Sequence, residues 1–296
     1  MAHTPSLQDA VRLRGSAALL PIYRECLADT ETPVSAYMKL RGAEPSFLLE
    51  SVEGGERQGR YSIVGTAPTD VLRFANGECE RRGAAAGTTR FACADPLQVT
   101  DDLLKERRAV SVDALPRFHG GAIGYLGFDL IRCYENVGPA KQDPYDLPLA
   151  HLAFCDTLVV FDHVKHTIKV VSHARLNQDV ASEYLAATER IDAVLARLRQ
   201  APPLGASDAM IADVPHGLVR APVADSNMTR ARYEAMVETA REYIAAGDIF
   251  QVVLAQRFSV PTAASALDIY RALRVVNPSP YMYLLDFGDY QLVGSS

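Results

Sequence analysis

The chain lacks tryptophan, although it carries 13 tyrosines and 10 phenylalanines, and that absence alone excludes little. Other scarcities say more. Only five cysteines occur, Cys26, Cys79, Cys93, Cys133 and Cys155. They are odd in number, far apart and never in a C-x-x-C pair, so they signal neither a disulfide framework nor a zinc site and suit reduced thiols in a cytosol. No apolar run reaches the length of a membrane span, and the opening Met1–Ala10 has no apolar signal core, so a cytoplasmic protein is expected. Positive charge is not in excess. Thirty Lys and Arg against 36 Asp and Glu leave a net charge of -6, which gives no electrostatic reason to expect nucleic acid or anionic membrane as partner.

What is present is a globular composition, 48% hydrophobic and 22% charged, long enough at 296 residues for two domains with a core each. Residues 201–227 are rich in Pro, Ala and Gly and lack periodicity over a length uncommon inside a compact domain. The expected division is therefore a first domain over 1–200, a linker over 201–227, and a second domain beginning at 228 and running to 296.

In the first domain, Thr32-Pro33 reads as an N-cap and first helical position for a helix to about Leu40. Phe47 to Leu49 reads as a buried strand that runs into Glu50 and Ser51, turns through Gly54, Gly55 and Gly59, and returns as Tyr61–Gly65. Asn76-Gly77 marks a hairpin, Asp95-Pro96 opens a helix expected through Val110, and residues 178–200 carry apolar positions at helical spacing. Glycines 120, 121, 124 and 127 match neither G-x-G-x-x-G nor a Gly-Lys-Ser/Thr ending, so they are read as a tight central strand rather than a phosphate loop. Strands are expected over 152–161 and 167–173; between them His163 and His166, with no third ligand close by, are read as a solvated turn.

In the second domain, Thr229 caps a helix expected to bury Tyr233, Met236, Val237, Ala240 and Ile244, with Gly247 as its left-handed stop. Residues 251–260 are read as a strand holding Gln256 as a buried core hydrogen-bond tie or a residue near a ligand. Ser265 and Asp268 start a further helix to about Val275. Asn277-Pro-Ser-Pro280 then fixes the backbone before a strand over 281–287 and a turn at Gly288-Asp289. Taken alone, Glu50 and Ser51 are either the polar end of a hairpin or part of a small-ligand site, and Pro278 to Met282 are a rigid start to a strand.

Several separated segments resemble one family in the same order: Leu48-Leu-Glu-Ser51, the glycine run 119–129, Ala246-Gly-Asp-Ile-Phe-Gln-Val-Val-Leu-Ala-Gln-Arg-Phe258, Asn277-Pro-Ser-Pro-Tyr-Met-Tyr283 and Leu292-Val-Gly-Ser-Ser296. They look like the chorismate-binding enzymes of the anthranilate synthase component I branch. The resemblance implies an α+β fold, with antiparallel sheets covered by helices in an N-terminal regulatory domain, followed by an incomplete chorismate-binding domain. It implies a lyase of tryptophan biosynthesis that converts chorismate, with ammonia from glutamine supplied by a glutamine amidotransferase subunit, into anthranilate and pyruvate with Mg²⁺. It also implies feedback by L-tryptophan, held between Ser51 and the triplet Pro280, Tyr281 and Met282, with softer roles for Leu49, Glu50 and Asn277. An ammonium would suit Glu50, a carboxylate Ser51 and backbone donors, and an indole Pro280 and Met282. An enzyme needed when tryptophan is scarce also gains from containing none. The family's magnesium-binding glutamates and catalytic histidine are expected downstream of Ser296, so no catalytic or metal residue is assigned. Aminodeoxychorismate synthase component I and a non-catalytic amino-acid-binding module are the alternatives.

Overall fold

The computed structural model describes residues 2–42, 45–51, 59–83, 87–138, 143, 145–201 and 224–296. The glycine loop at 54–55 and most of the 201–227 linker lie outside them. In chain order the strands are β1 (Leu19–Leu27), β2 (Ser46–Glu50), β3 (Tyr61–Gly65), β4 (Asp70–Ala75), β5 (Glu78–Gly83), β6 (Gly87–Ala92), β7 (Gly121–Leu126), β8 (Ala150–Cys155), β9 (Thr157–Asp162), β10 (Thr167–Arg175), β11 (Asp225–Ser226), β12 (Phe258–Ser259), β13 (Met282–Asp286) and β14 (Gln291–Ser295). The α-helices are α1 (Leu7–Arg12), α2 (Pro33–Leu40), α3 (Pro96–Lys105), α4 (Val180–Leu198), α5 (Arg230–Ala246) and α6 (Ala266–Val276).

Two compact units result, Met1–Asp208 with Ala266–Ser296, and Ala209–Ser265. Residues 266–296, grouped with 228–265 in the sequence-based division, thus belong with the first part of the chain. The reason is strand pairing: β13 lies antiparallel to β2 in one seven-stranded sheet ordered β1-β10-β9-β3-β2-β13-β14. The larger unit is α+β, with antiparallel sheets covered by helices.

Alternation along the strands sends side chains to opposite faces of that sheet. Leu48, Val64, Val159, Phe161, Met282 and Leu284 form one core with α1, α2, α4 and α6. Phe47, Ile63, Leu158 and Leu285 form another with Ala153 and Cys155 of β8. The second sheet, ordered β6-β5-β4-β8-β7, therefore packs on the face opposite the helices. Its own outer face packs Leu72, Phe74 and Leu152 against Leu103 of α3.

Local chemistry explains the main elements. Thr32 caps α2 through its side chain and Pro33 opens it, as the sequence pattern requires. Gly65 faces Phe47 across β2 and β3; a Cβ there would sit 2.3 Å from the ring, so glycine is what lets the aromatic ring lie across the neighbouring strand.

Three elements differ from the sequence reading. The apolar stretch 152–161 is two strands, because the chain passes at Asp156 from one sheet to the other. The glycine-rich β7 lies at the edge of its sheet, not the centre. Helix α3 stops at Lys105.

In the smaller unit, α5 is capped by Thr229 and stopped by Gly247 at φ 83°, yet none of its residues is buried. The expected strand over 251–260 reduces to Phe258–Ser259 paired with β11, and Val253 is 81% exposed. Helical spacing shows which side is apolar but not whether anything covers it. Gln256 is not in a core: it donates to the Ser226 hydroxyl at 2.7 Å on an exposed surface, because the expected strand around it does not form.

Candidate ligand cleft

The β2–β13 ladder brings Glu50 opposite Met282 and Leu49 opposite Tyr283. Antiparallel pairing then leaves Ser51, one step beyond Glu50, beside Tyr281 and Pro280. These residues, with Tyr61 and Ile63 of β3, line a cleft of about 530 Å³. Six of the seven residues singled out for a ligand, Leu49, Glu50, Ser51, Pro280, Tyr281 and Met282, are in it. Asn277 is not; it stands exposed just past α6, where its carbonyl accepts a hydrogen bond from Ser295 at 2.7 Å.

The contributions of those six differ. Leu49, Ile63 and Tyr283 belong to the face turned towards the second sheet and give the cleft an apolar floor. Tyr281 is 71% exposed, a free aromatic ring at the rim. Met282 points the other way: it is 1% exposed and packs in the core under the helices. Its thioether is therefore part of the scaffold, and the flat surfaces that line the cleft are Pro280 and the tyrosines.

Glu50 likewise faces the helices. Its carboxylate, 6% exposed, accepts the Tyr270 hydroxyl at 2.6 Å and Nη2 of Arg274 at 3.3 Å. The Arg274 Nε lies 3.0 Å from the same carboxylate, close enough to pair by charge but out of line for a hydrogen bond. Burial, reinforced by the Glu50 charge, raises the Tyr270 hydroxyl well above the tyrosine range, so it remains a donor. A buried carboxylate needs such partners. Glu50 already has them inside the protein and is not free to receive a ligand ammonium.

Ser51 is the opposite case. Its hydroxyl is buried and finds no hydrogen-bond partner among the described residues. A second, polar hollow of about 400 Å³ opens from the same two residues towards Ser62, His163 and Arg274. There Ser62 and His163 Nε2 are 2.7 Å apart, and burial lowers the His163 pKa although Glu50 and Asp162 oppose it. His163, read from sequence as a solvated turn residue, is exposed in the turn between β9 and β10, and its ring lines the rim of this hollow. Tyr270 and Arg274 were not singled out at all; their one sequence signal is i, i+4 spacing on a single face of α6.

Among the described residues no group of three or more His, Cys, Asp or Glu side chains could hold a metal ion. Among the described residues no helix is long and apolar enough to cross a membrane.

Layered antiparallel sheets, covering helices, and a cleft with an apolar floor and a hydroxyl unpaired among the described residues define an α+β protein with a candidate small-molecule site. The family model for chorismate binding enzymes matches residues 44–296, and the chain belongs to that family. It is 36% identical over 293 residues to the anthranilate synthase component 1 of Acetivibrio thermocellus, covering 99% of this chain and 58% of that one. With the protein of the same name from Pseudomonas aeruginosa it shares 39% over 279 residues, 94% of this chain and 56% of the relative. The crystal structure of anthranilate synthase component I from Streptococcus pneumoniae TIGR4 superposes with a TM-score of 0.61 at 32% identity, covering 92% of this chain and 57% of that one. The chain thus spans a little over half the length of these relatives.

Proposed function

We propose that this chain is the effector-binding part of an anthranilate synthase component I, and that its cleft takes L-tryptophan. The observation that carries the reading is the Ser51 hydroxyl, buried and without a partner among the described residues, at the edge of an apolar cleft whose far wall is Pro280 and Tyr281. A hydroxyl without a partner is a donor waiting for an acceptor, and a ligand carboxylate is the acceptor that an amino acid brings. The indole would lie over the Leu49 and Ile63 floor between the tyrosines.

The whole protein would act in the cytoplasm as a lyase, joining chorismate to ammonia released from glutamine by an amidotransferase subunit and giving anthranilate and pyruvate. Magnesium would serve that reaction, but no step through it is assigned to residues of this chain. Tryptophan would inhibit by favouring one arrangement of the protein, and chorismate would weaken tryptophan binding by the same factor.

Calorimetric titration of the folded chain with L-tryptophan tests the proposal. One-site binding that Ser51→Ala weakens is the expected result. No binding by a chain shown by circular dichroism to be folded refutes it.

A further inference from the structure

The cleft's two walls come from opposite ends of the chain, and one buried carboxylate touches elements of both. Resting on the reading of the cleft as a tryptophan site, we propose that Tyr270 and Arg274 are positioning residues that hold the second wall in register with the first through Glu50.

The β2–β13 ladder fixes the walls only as far as its last pair, Met282 opposite Glu50. Pro280 and Tyr281, which would meet the ligand, lie beyond it. They lie between that pair and α6, which ends at Val276, joined to the helix by the short segment Asn277-Pro-Ser-Pro280, and the Tyr281 carbonyl accepts from the Ser296 amide at 3.1 Å. Two prolines in that segment restrict φ, and the Tyr281 amide donates to the Ser279 hydroxyl at 3.2 Å, so a shift of α6 is passed on to Tyr281 rather than absorbed. Helix α6 is itself anchored to β2 by the Tyr270 bond of 2.6 Å and by the Arg274 pair, both on Glu50, the residue next to Ser51. Tyr270 is fully buried, and it cannot move without breaking the core or the bond. The latch lets a carboxylate that touches no ligand control the distance between Ser51 and Tyr281.

Two measurements on the intact chain test this: tryptophan affinity by calorimetry, and hydrogen exchange of the peptide spanning residues 277–283 in ligand-free protein. Tyr270→Phe keeps the ring in the core and removes the bond. It is expected to weaken tryptophan at least tenfold and to speed exchange in 277–283, while exchange in β8 and β9 stays at wild-type rates. In a Glu50→Gln background the same change should add no further loss, because both act on one latch. Arg274→Lys, which keeps the cation but not the planar fork, should weaken tryptophan less than Arg274→Ala. Wild-type affinity and exchange in Tyr270→Phe overturn the proposal. So do losses in Tyr270→Phe and Glu50→Gln that simply add and follow the fall in melting temperature. If Tyr270→Phe fails to fold, Glu50→Gln against wild type decides by the same two readouts. A wild-type chain that binds no tryptophan sinks the tryptophan reading, and the exchange comparison still decides the latch.

Discussion

Ser51→Ala should move stability and binding in opposite directions. In the free chain the hydroxyl is buried with no partner among the described residues. Burying an unsatisfied polar group costs about 1–3 kcal/mol, and alanine removes the group while leaving the backbone of β2 unchanged. For a unit of this size about 1 kcal/mol corresponds to about 2–4 °C, so the variant is expected to melt a few degrees above wild type. Binding should suffer. A hydrogen bond to a charged ligand group is worth about 1.5–3 kcal/mol, roughly a ten- to hundredfold loss of tryptophan affinity. Scanning fluorimetry or calorimetry of the free proteins gives the first quantity and isothermal titration the second. The two signs together are diagnostic, since a substitution that merely damaged the cleft would lower both. A lower melting temperature for the alanine variant would mean that the Ser51 hydroxyl is satisfied in the free protein, and the argument for a waiting ligand carboxylate would fail.

Gly124→Ala would place a Cβ 1.9 Å from the backbone carbonyl oxygen of His151 on the paired strand, which cannot step aside. It should cost at least the upper end of the usual overpacking range of about 1–3 kcal/mol, whereas Gly42→Ala, which meets nothing within 4 Å, should be nearly neutral; equal melting temperatures would refute the strand packing. His151 is 5% exposed, and burial, helped by the Arg73 charge, lowers its pKa from 6.5 to about 4. The unfolded chain takes up this proton below its ordinary pKa while the folded chain resists it. The contribution is therefore complete above about pH 6.5 and is lost as pH falls towards about 4, roughly 3 kcal/mol in all. Urea midpoints measured between these limits should fall more steeply for wild type than for His151→Gln, and parallel curves would reject the assignment. Burial pushes the Cys79 and Cys155 thiols up to about 12, while Cys133 is exposed. Alkylation of the native protein followed by mass spectrometry should mark Cys133 and spare the other two until denaturant is added, and equal labelling would show that the second sheet opens readily.

Much of the local structure was legible because local chemistry decides it. Thr32-Pro33 could only start a helix, Asn76-Gly77 could only turn a hairpin, and the apolar period of residues 180–198 had one face to bury. What the chain did not announce was which sheet each strand joins. Residues 152–155 and 158–161 are apolar without alternation because each strand is buried on both faces, so periodicity did not distinguish the two, and Asp156-Thr157 was the one local mark of the crossing. The pairing of β13 with β2 closes almost the whole length of the chain, and no local signal encodes it. Only the family resemblance put Ser51 and Pro280 to Met282 together, and it did so without their orientation, which is why Met282 was expected to face a ligand and instead faces the core. Glu50 shows the limit most sharply. A carboxylate at the end of an apolar strand must be paired, but the need is met equally well by a ligand ammonium and by an arginine brought from the far end of the chain. Composition cannot choose between them; geometry chooses Arg274, with Tyr270 taking a remaining lone pair. With Glu50 held by Tyr270 and Arg274, it is Ser51 rather than Glu50 that keeps a buried polar group unpartnered among the described residues.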